Sequence, residues 1–417
     1  MTKRSTLAGR RVLVGITGGI AAYKVAGWVS HLVGEGARVT VMMTRAATRF
    51  ITPVTLGALS GNPVYTDLFD DPGKEMSHIS LADDAELVLV APLTAHTLAR
   101  LAHGLADDLL TTTILATTAP VILCPAMNSN MLRHPATQGN MRLVKELGYL
   151  SVEPGVGALA CGQQGPGRLP TYTAMREVLL GALAPSDLQG QRIVITAGPT
   201  REALDPARYL SNRSSGKMGY ALAATAKRRG AEVTLVTGPT ALEPPPGPMV
   251  IRVENALQMH EEVMKAGEGA TIIVMAAAVA DFRPREYQEK KIKKVNAEPR
   301  IELIRNPDIL ADLGTRWQHS SDHRPLLVGF AAESHNHLEE GRRKLKEKHA
   351  DLICVNDISG SDTGFDVNTN RVTLIDRKGM TELDLMSKEE TANAIWDHVL
   401  TMTPAYPATS DKNTASQ

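Results

Sequence analysis

Cysteine is scarce, with three in 417 residues, at positions 124, 161 and 354. An odd number, wide spacing and no C-x-x-C argue against a disulfide framework and against a cysteine-based zinc site. Net charge is missing as well. Basic and acidic residues stand at 45 each, so no overall field draws the chain to nucleic acid or to an anionic membrane, and any anion site has to be local. No long apolar run occurs either: TIIVMAAAVA is far short of the roughly twenty residues that a spanning helix needs. The opening MTKRSTLAGRR is polar and leads directly into a strand-like segment, which leaves no room for a signal peptide. A soluble, cytoplasmic protein is expected. What the chain does have is 43% hydrophobic residues over a length that suits two globular cores.

Both halves open with the same grammar. RRVLVGITGGIAAYKVAGWVSHLVGEGARVTVMMT reads as strand, glycine turn, helix and second strand, and QRIVITAGPT with SSGKMGYALAATAKRRGAEVTLVTGP repeats it from about residue 191. Short β-branched runs alternating with longer amphipathic stretches predict β-α-β units and two parallel-sheet α/β domains. In the first, strands are expected at ELVLVAP and APVILCPAMN and helices from Thr94, Asp108 and Pro135. In the second, MVIRVE, TIIVMAAAVAD, LLVGFAAE and DLICVND read as strands, and RVTLIDRKGMTELDLM as a hairpin turning at Lys378-Gly379. The seam falls in GALAPSDLQGQ, giving domains over 1–185 and 191–402, and 403–417 reads as a disordered tail.

The turn in GITGGIAAYK offers Thr17, Gly18, Gly19 and Ile20 at a helix N-terminus, where backbone N–H groups can face an anion. It is not G-x-G-x-x-G, and VTVMMTRAA ends its strand without the acidic residue that holds a dinucleotide ribose. A mononucleotide phosphate such as that of FMN fits better, with hydroxyls from Thr17, Thr44 and Thr94. Glycine at such a turn also serves close packing alone. His78 in MSHISL has an ordinary surface reading, Asn128 in CPAMNSNM that of a helix N-cap, and Cys161 that of a loop cysteine of no consequence. Set in GALACGQQGPGRLP, Cys161 also has the look of a thiol on a flexible glycine-rich lid.

GITGGIAAYK, APLTAHT, PAMN and ACGQQGPGRLP, in that order, resemble the flavin-dependent cysteine decarboxylase family, specifically phosphopantothenoylcysteine decarboxylase, over residues 9–180. The resemblance implies a flavodoxin-like FMN domain that removes CO2 from the cysteine end of 4'-phosphopantothenoylcysteine. FMN would bind at Thr17, Gly18, Gly19, Ile20, Thr44, Thr94 and Thr97. His78 would be the base of the oxidative half, Asn128 with Met127 would hold the substrate carboxylate, and Cys161 would return the proton. A member lacking that cysteine would stop at the oxidised product.

In the second half, ITAGPTREALDPARYLSNRSSGKMGYALA superficially suggests a P-loop, but Met218 follows its only Gly-Lys, so the Walker pattern fails. The basic runs EKKIKK and GRRKLKEKH read equally as solvated faces. Against that reading, MAAAVADFRP, NPDIL and VGFAAE, with SNRSSGKMG, resemble the phosphopantothenate–cysteine ligase domain over about 190–400, and the whole chain resembles the bifunctional family that joins the two activities. That implies a Rossmann-like unit using CTP and Mg2+, with unknown metal ligands. Met275, Ala276, Ala277, Asp281, Pro307, Asp308, Ile309, Leu310, Phe330, Lys344 and Lys348 would bind CTP. Lys291 would also stabilise the transferring phosphate, and Asn212 and Arg208 would serve the acyl-cytidylate and its conversion. Arg213 stands where some relatives carry histidine. A homo-oligomer is implied too, with trimeric decarboxylase and dimeric ligase contacts and a dodecamer as the candidate closed form. Two other readings compete: a ligase with a merely flavin-binding first half, and a non-catalytic nucleotide sensor.

Overall fold

The computed structural model describes residues 7–69, 77–292, 300–318, 324–333, 337–357 and 367–402. The expected tail and Lys293 and Lys294 of the EKKIKK run lie outside them. The chain divides into two compact units, Met1–Ala184 and Pro185–Gln417.

The first unit runs β1 (Arg11–Ile16), α1 (Ala22–Gly34), β2 (Arg38–Met43), α2 (Pro53–Ser60), β3 (Val64–Tyr65), α3 (Ser77–Asp84), β4 (Leu87–Leu93), α4 (Ala95–Ala102), α5 (Leu109–Ala116), β5 (Val121–Pro125), α6 (Ser129–Arg133), α7 (Pro135–Glu146) and β6 (Leu150–Ser151). A hairpin of β7 (Gly155–Ala158) and β8 (Gln164–Arg168) follows, then α8 (Tyr172–Leu183). The sheet order is β3-β2-β1-β4-β5-β6, with every pairing parallel. All seven residues of β4 are buried, as a strand covered by helices on both faces requires. Val25, Trp28, Val29 and Leu32 make one apolar stripe of α1, packed with Leu179 of α8 on Val12, Val14 and Ile16. Leu98, Leu110 and Val144 cover Leu13, Val88 and Val90 on the other face. Each such fully buried side chain contributes roughly 1.5–3 kcal/mol. Thr94 caps α4, Asp108 closes a capping box at α5, and Pro135 opens α7, so the three helix starts expected from the sequence are set by local chemistry.

The second unit runs β9 (Arg192–Ala197), β10 (Arg201–Asp205), β11 (Arg208–Ser211), α9 (Lys217–Arg228), β12 (Glu232–Thr237), β13 (Met249–Arg252), α10 (Ala256–Ala266), β14 (Ile272–Met275), β15 (Phe282–Pro284) and β16 (Leu303–Arg305). It continues with α11 (Ile309–Trp317), β17 (Leu326–Glu333), α12 (His337–Glu347), β18 (Leu352–Asp357), β19 (Thr369–Asn370), β20 (Val372–Asp376), β21 (Met380–Glu382), β22 (Met386–Ser387) and α13 (Lys388–Met402). The main sheet is β13-β12-β9-β14-β17-β18-β20-β21, parallel through β18 and antiparallel beyond. Helices α9 and α13 cover one face, with Ala223 and Trp396 against Ile195, Val274 and Cys354. The other face carries α10 and α11 over Ile273 and Leu327, and α12 over Val355 and Ile375. The hairpin expected at Lys378-Gly379 is β20–β21, its turn held by the Asp376 carboxylate accepting from both N–H groups. TIIVMAAAVAD is strand only to Met275, because beyond it the chain leaves the sheet along the cavity described below.

Candidate active sites

In the first unit the strand order reverses between β1 and β4, and ligand sites in open α/β sheets form outside the carboxyl ends at such a point. Thr17, Gly18, Gly19 and Ile20 follow β1, Thr44 follows β2, Thr94 and Thr97 follow β4, and Met127 and Asn128 follow β5. The topology therefore gathers all of these positions at one edge. A methyl group on Gly18 would stand 2.4 Å from Ala46 Cβ, so the turn passes too close to its neighbour for any side chain. Helix α1 carries no side-chain cap, and an anion at its N-terminus would take that role. Three hydroxyls have local duties. Thr17 is fully buried, donates to the Pro92 carbonyl at 2.5 Å and accepts from the Thr94 N–H at 3.0 Å. The expectation of Thr17 as a hydroxyl donor to phosphate is therefore corrected: its one hydrogen ties β1 to β4. Thr44 accepts from the Ala47 N–H, and Thr94 from the Thr97 N–H.

The second correction concerns the loop around Cys161. Residues 155–168 are an antiparallel hairpin, not a loose cover. Its second strand is seated on the turn between β5 and α6: the Met127 N–H donates to the Gly167 carbonyl at 2.9 Å, and Ser129 Oγ to the Pro166 carbonyl at 2.6 Å. A methyl on Gly167 would stand 2.1 Å from the Met127 carbonyl oxygen, and one on Gly165 2.6 Å from Ser129 Oγ. These glycines permit close approach. The exposed tip carries Cys161, and the Asn128 amide nitrogen donates to its sulfur at 3.3 Å and to Gln163 Oε1 at 3.0 Å. The Gln163 N–H foremost, and then the Asn128 amide, hold the Cys161 thiol below the ordinary cysteine value. Burial pushes the thiols of Cys124 and Cys354 up instead, so only Cys161 has reactive character. Asn128 also caps α6 through its Oδ1, so its helix-cap and functional readings hold together. His78, second residue of α3, is half-buried, and no described hydrogen bond joins it to the Asn128–Cys161 pair.

In the second unit a cavity of about 840 Å³ opens at the carboxyl edge of the main sheet. Met275, Ala276, Ala277, Asp281, Pro307, Asp308, Ile309, Leu310, Phe330, Lys344, Lys348 and Asn212 all line it. The reason is topological: β14, β17 and the start of α11 meet there. Asn212 is fixed by donating to the carbonyls of Ala278 and Val279 at 3.3 and 3.0 Å. Asp308 caps α11 through Oδ1 and pairs with Lys348 through Oδ2. Desolvation lowers the Lys348 ammonium below the usual lysine value, opposed by the charge of Asp281. Lys291 and Arg208 do not line this cavity. Arg208 reaches Asp205 and the Ile292 carbonyl, while the Ile292 N–H donates to Asp205, so this carboxylate anchors the segment bearing Lys291 beside the β10–β11 turn.

A family model described as the DNA/pantothenate metabolism flavoprotein C-terminal domain matches residues 188–402, and one described as flavoprotein matches residues 1–183. The coenzyme A biosynthesis bifunctional protein CoaBC of Vibrio cholerae is 48% identical over 393 residues, covering 94% of this chain and 98% of that protein. The protein of the same name from Bacillus subtilis is 44% identical over 388 residues, covering 92% and 94%. The chain belongs to the bifunctional coenzyme A biosynthesis family. It is a phosphopantothenoylcysteine decarboxylase joined to a phosphopantothenate–cysteine ligase. A crystal structure of the C-terminal domain of a CoaBC protein is 42% identical, with a TM-score of 0.44, and covers 52% of this chain and 97% of that one.

Sequence reasoning assigned no role to several residues that line the ligase cavity, among them Lys217, Arg305, Asn370 and Lys388. Lys217 was passed over because its Gly-Lys failed the Walker pattern. Lys388 and Asn370 carry no local signal, since they reach the cavity from beyond the last parallel strand.

Proposed function

We propose that the decarboxylase unit binds FMN at the β1–β4 switch point, with Gly18, Gly19, Ile20 and the uncapped start of α1 receiving the phosphate and Thr44, Thr94 and Thr97 shaping its surroundings. The residues present fit the group, because the Gly18 turn and the α1 N-terminus make an anion cradle free of side chains. FMN supplies there a reversible two-electron acceptor, which gives the departing CO2 an adjacent electron sink without net redox change. Asn128 and Met127 hold the substrate carboxylate, and His78, the base of the oxidative half, takes the proton that the substrate thiol loses when its carbon is oxidised. Cys161 delivers a proton after CO2 has left. The observation that carries this reading is the 3.3 Å contact between Asn128 and Cys161: the group that orients the substrate and the group that protonates the product meet at one point.

In the ligase unit the lining residues receive CTP. A free carboxylate has no leaving group, so it first attacks the α-phosphorus and releases pyrophosphate, and the cysteine amine then displaces CMP from the acyl-cytidylate. Asn212, held at the cavity wall, contacts that acyl group, and Lys344 and Lys348 receive the triphosphate. Lys291 and Arg208 come to the site from the segment anchored on Asp205. Mg2+ enters on the nucleotide, offsetting its charge. The enzyme works in the cytoplasm, consistent with no described helix being long and apolar enough to cross a membrane, as an oligomer with trimeric decarboxylase and dimeric ligase contacts and a dodecamer as its closed form.

Purified protein should be yellow with a flavin absorption band. Given 4'-phosphopantothenate, cysteine and Mg2+, it should release pyrophosphate with CTP far faster than with ATP, and CO2 should follow. Colourless protein that takes up no FMN yet releases CO2 refutes the flavin assignment, and equal rates with ATP refute the choice of nucleotide.

A further inference from the structure

The ligase cavity has a second basic wall that the CTP assignment leaves unused. Six basic residues line the cavity against two acidic ones, Asp281 and Asp308. Lys344 belongs to α12 and Lys348 follows it, on one face of the sheet. Lys217 and Lys388 are the first residues of α9 and α13, which pack together over the opposite face. Lys388 is only 6% exposed although it lines the cavity. Its Nζ donates to Asn370 Oδ1 at 3.0 Å and to the Thr369 carbonyl at 3.3 Å, and Asn370 is 1% exposed. Lys217 Nζ donates to Asn368 Oδ1 at 2.9 Å. Burying an ammonium is costly, and a position at the floor of an anion-binding cavity offsets that cost. Asn356 lies on the same side, since it alternates along β18 with Leu352 and Cys354, which face the α9–α13 core. Its buried Oδ1 has no hydrogen-bond partner among the described residues.

We propose that Lys388, with Lys217 and Asn370, seats the phosphate monoester of the acid substrate and is the residue that selects phosphorylated acid over the free form. This rests on the ligase reading above. Two phosphates are available to such a wall, that of the acid and those of the nucleotide. The placement of the wall favours the first, because the triphosphate is assigned to Lys344 and Lys348 on the other face of the sheet. Beside a phosphate on this wall the unsatisfied amide oxygen of Asn356 needs a hydrogen donor, which phosphopantothenate has in its secondary hydroxyl, on the second carbon from the phosphorylated one.

The test is pyrophosphate release by the full-length enzyme with 4'-phosphopantothenate and CTP varied in turn. Lys388→Met should raise KM for 4'-phosphopantothenate about tenfold or more, by loss of a charge-assisted hydrogen bond, while leaving KM for CTP unchanged; Lys388→Arg should restore most of the loss. CO2 release from supplied phosphopantothenoylcysteine, which uses the other unit, should not change. If Lys388→Met does not fold, Lys217→Gln, at a partly exposed position, should shift the same KM in the same direction. An unchanged KM for 4'-phosphopantothenate in the folded variants, or a rise confined to CTP, overturns the proposal. Wild-type enzyme that releases no pyrophosphate with CTP instead overturns the ligase reading beneath it.

Discussion

Gly167→Ala should unseat the hairpin that carries Cys161. Gly167 sits at φ +124, in a region that favours glycine, and its added methyl would lie 2.1 Å from the Met127 carbonyl oxygen. Backbone strain alone costs about 1–2 kcal/mol. Relief of the overlap separates Met127 from Gly167 and Ser129 from Pro166, and each of these hydrogen bonds contributes about 1 kcal/mol. The seated state therefore loses about 3–4 kcal/mol, a hundredfold or more in population. Catalytic CO2 release from phosphopantothenoylcysteine should fall by a similar factor, while pyrophosphate release by the ligase unit stays unchanged and serves as the internal control for folding. Gly162→Ala is the comparison. Its φ is +80, but a methyl there meets nothing within 4 Å, so only the backbone strain of about 1–2 kcal/mol applies and the loss should be about tenfold. Equal rates for the two variants, or unaltered CO2 release by Gly167→Ala, would show that the hairpin's seat on the β5–α6 turn has no bearing on the chemistry.

Three further outcomes are expected. Cys161→Ser should release CO2 in a single burst that does not continue, with pyrophosphate production intact; sustained CO2 release would remove Cys161 from the protonation step. Because the Gln163 N–H and the Asn128 amide both favour the thiolate, iodoacetamide should alkylate Cys161 over a pH range below that of a free cysteine, and Asn128→Ala should move that range upward; no movement would mean the 3.3 Å contact has no influence in solution. Arg229 is 2% exposed and binds both oxygens of Asp187 at 2.8 Å and Asp397 at 2.8 Å, tying the start of the second unit to α13. Arg229→Leu should destabilise that unit by about 2–3 kcal/mol, less than for a fully buried pair because both carboxylates reach water, and chemical denaturation followed by circular dichroism should show no change in midpoint if the pair is idle.

How much of this was legible beforehand depends on how far apart the interacting residues lie in the chain. The α/β class, both glycine turns and the helix starts at Thr94, Asp108 and Pro135 were readable, because a cap or a helical stripe involves residues three or four positions apart. The residues proposed to bind CTP were picked out by resemblance, and the structure brings most of them together at the carboxyl ends of β14 and β17, with Lys291 outside the lining. Thr17 was misread because a hydroxyl's partner is invisible locally; its hydrogen goes to Pro92, 75 residues on.

By itself the sequence pointed to two parallel α/β units, a glycine turn after each first strand, and a cysteine set in a glycine-rich segment. Only the tertiary structure decided what the glycines around that thiol are for, because Gly167 meets Met127 across forty positions and composition cannot distinguish close approach from looseness. It also decided the shape and charge of the ligase cavity. Lys217 with Asn368, and Met218 with Asn370, meet across some 150 residues. No local pattern encodes such contacts; they exist because burying one face of the sheet under α9 and α13 brings both helix starts to one edge.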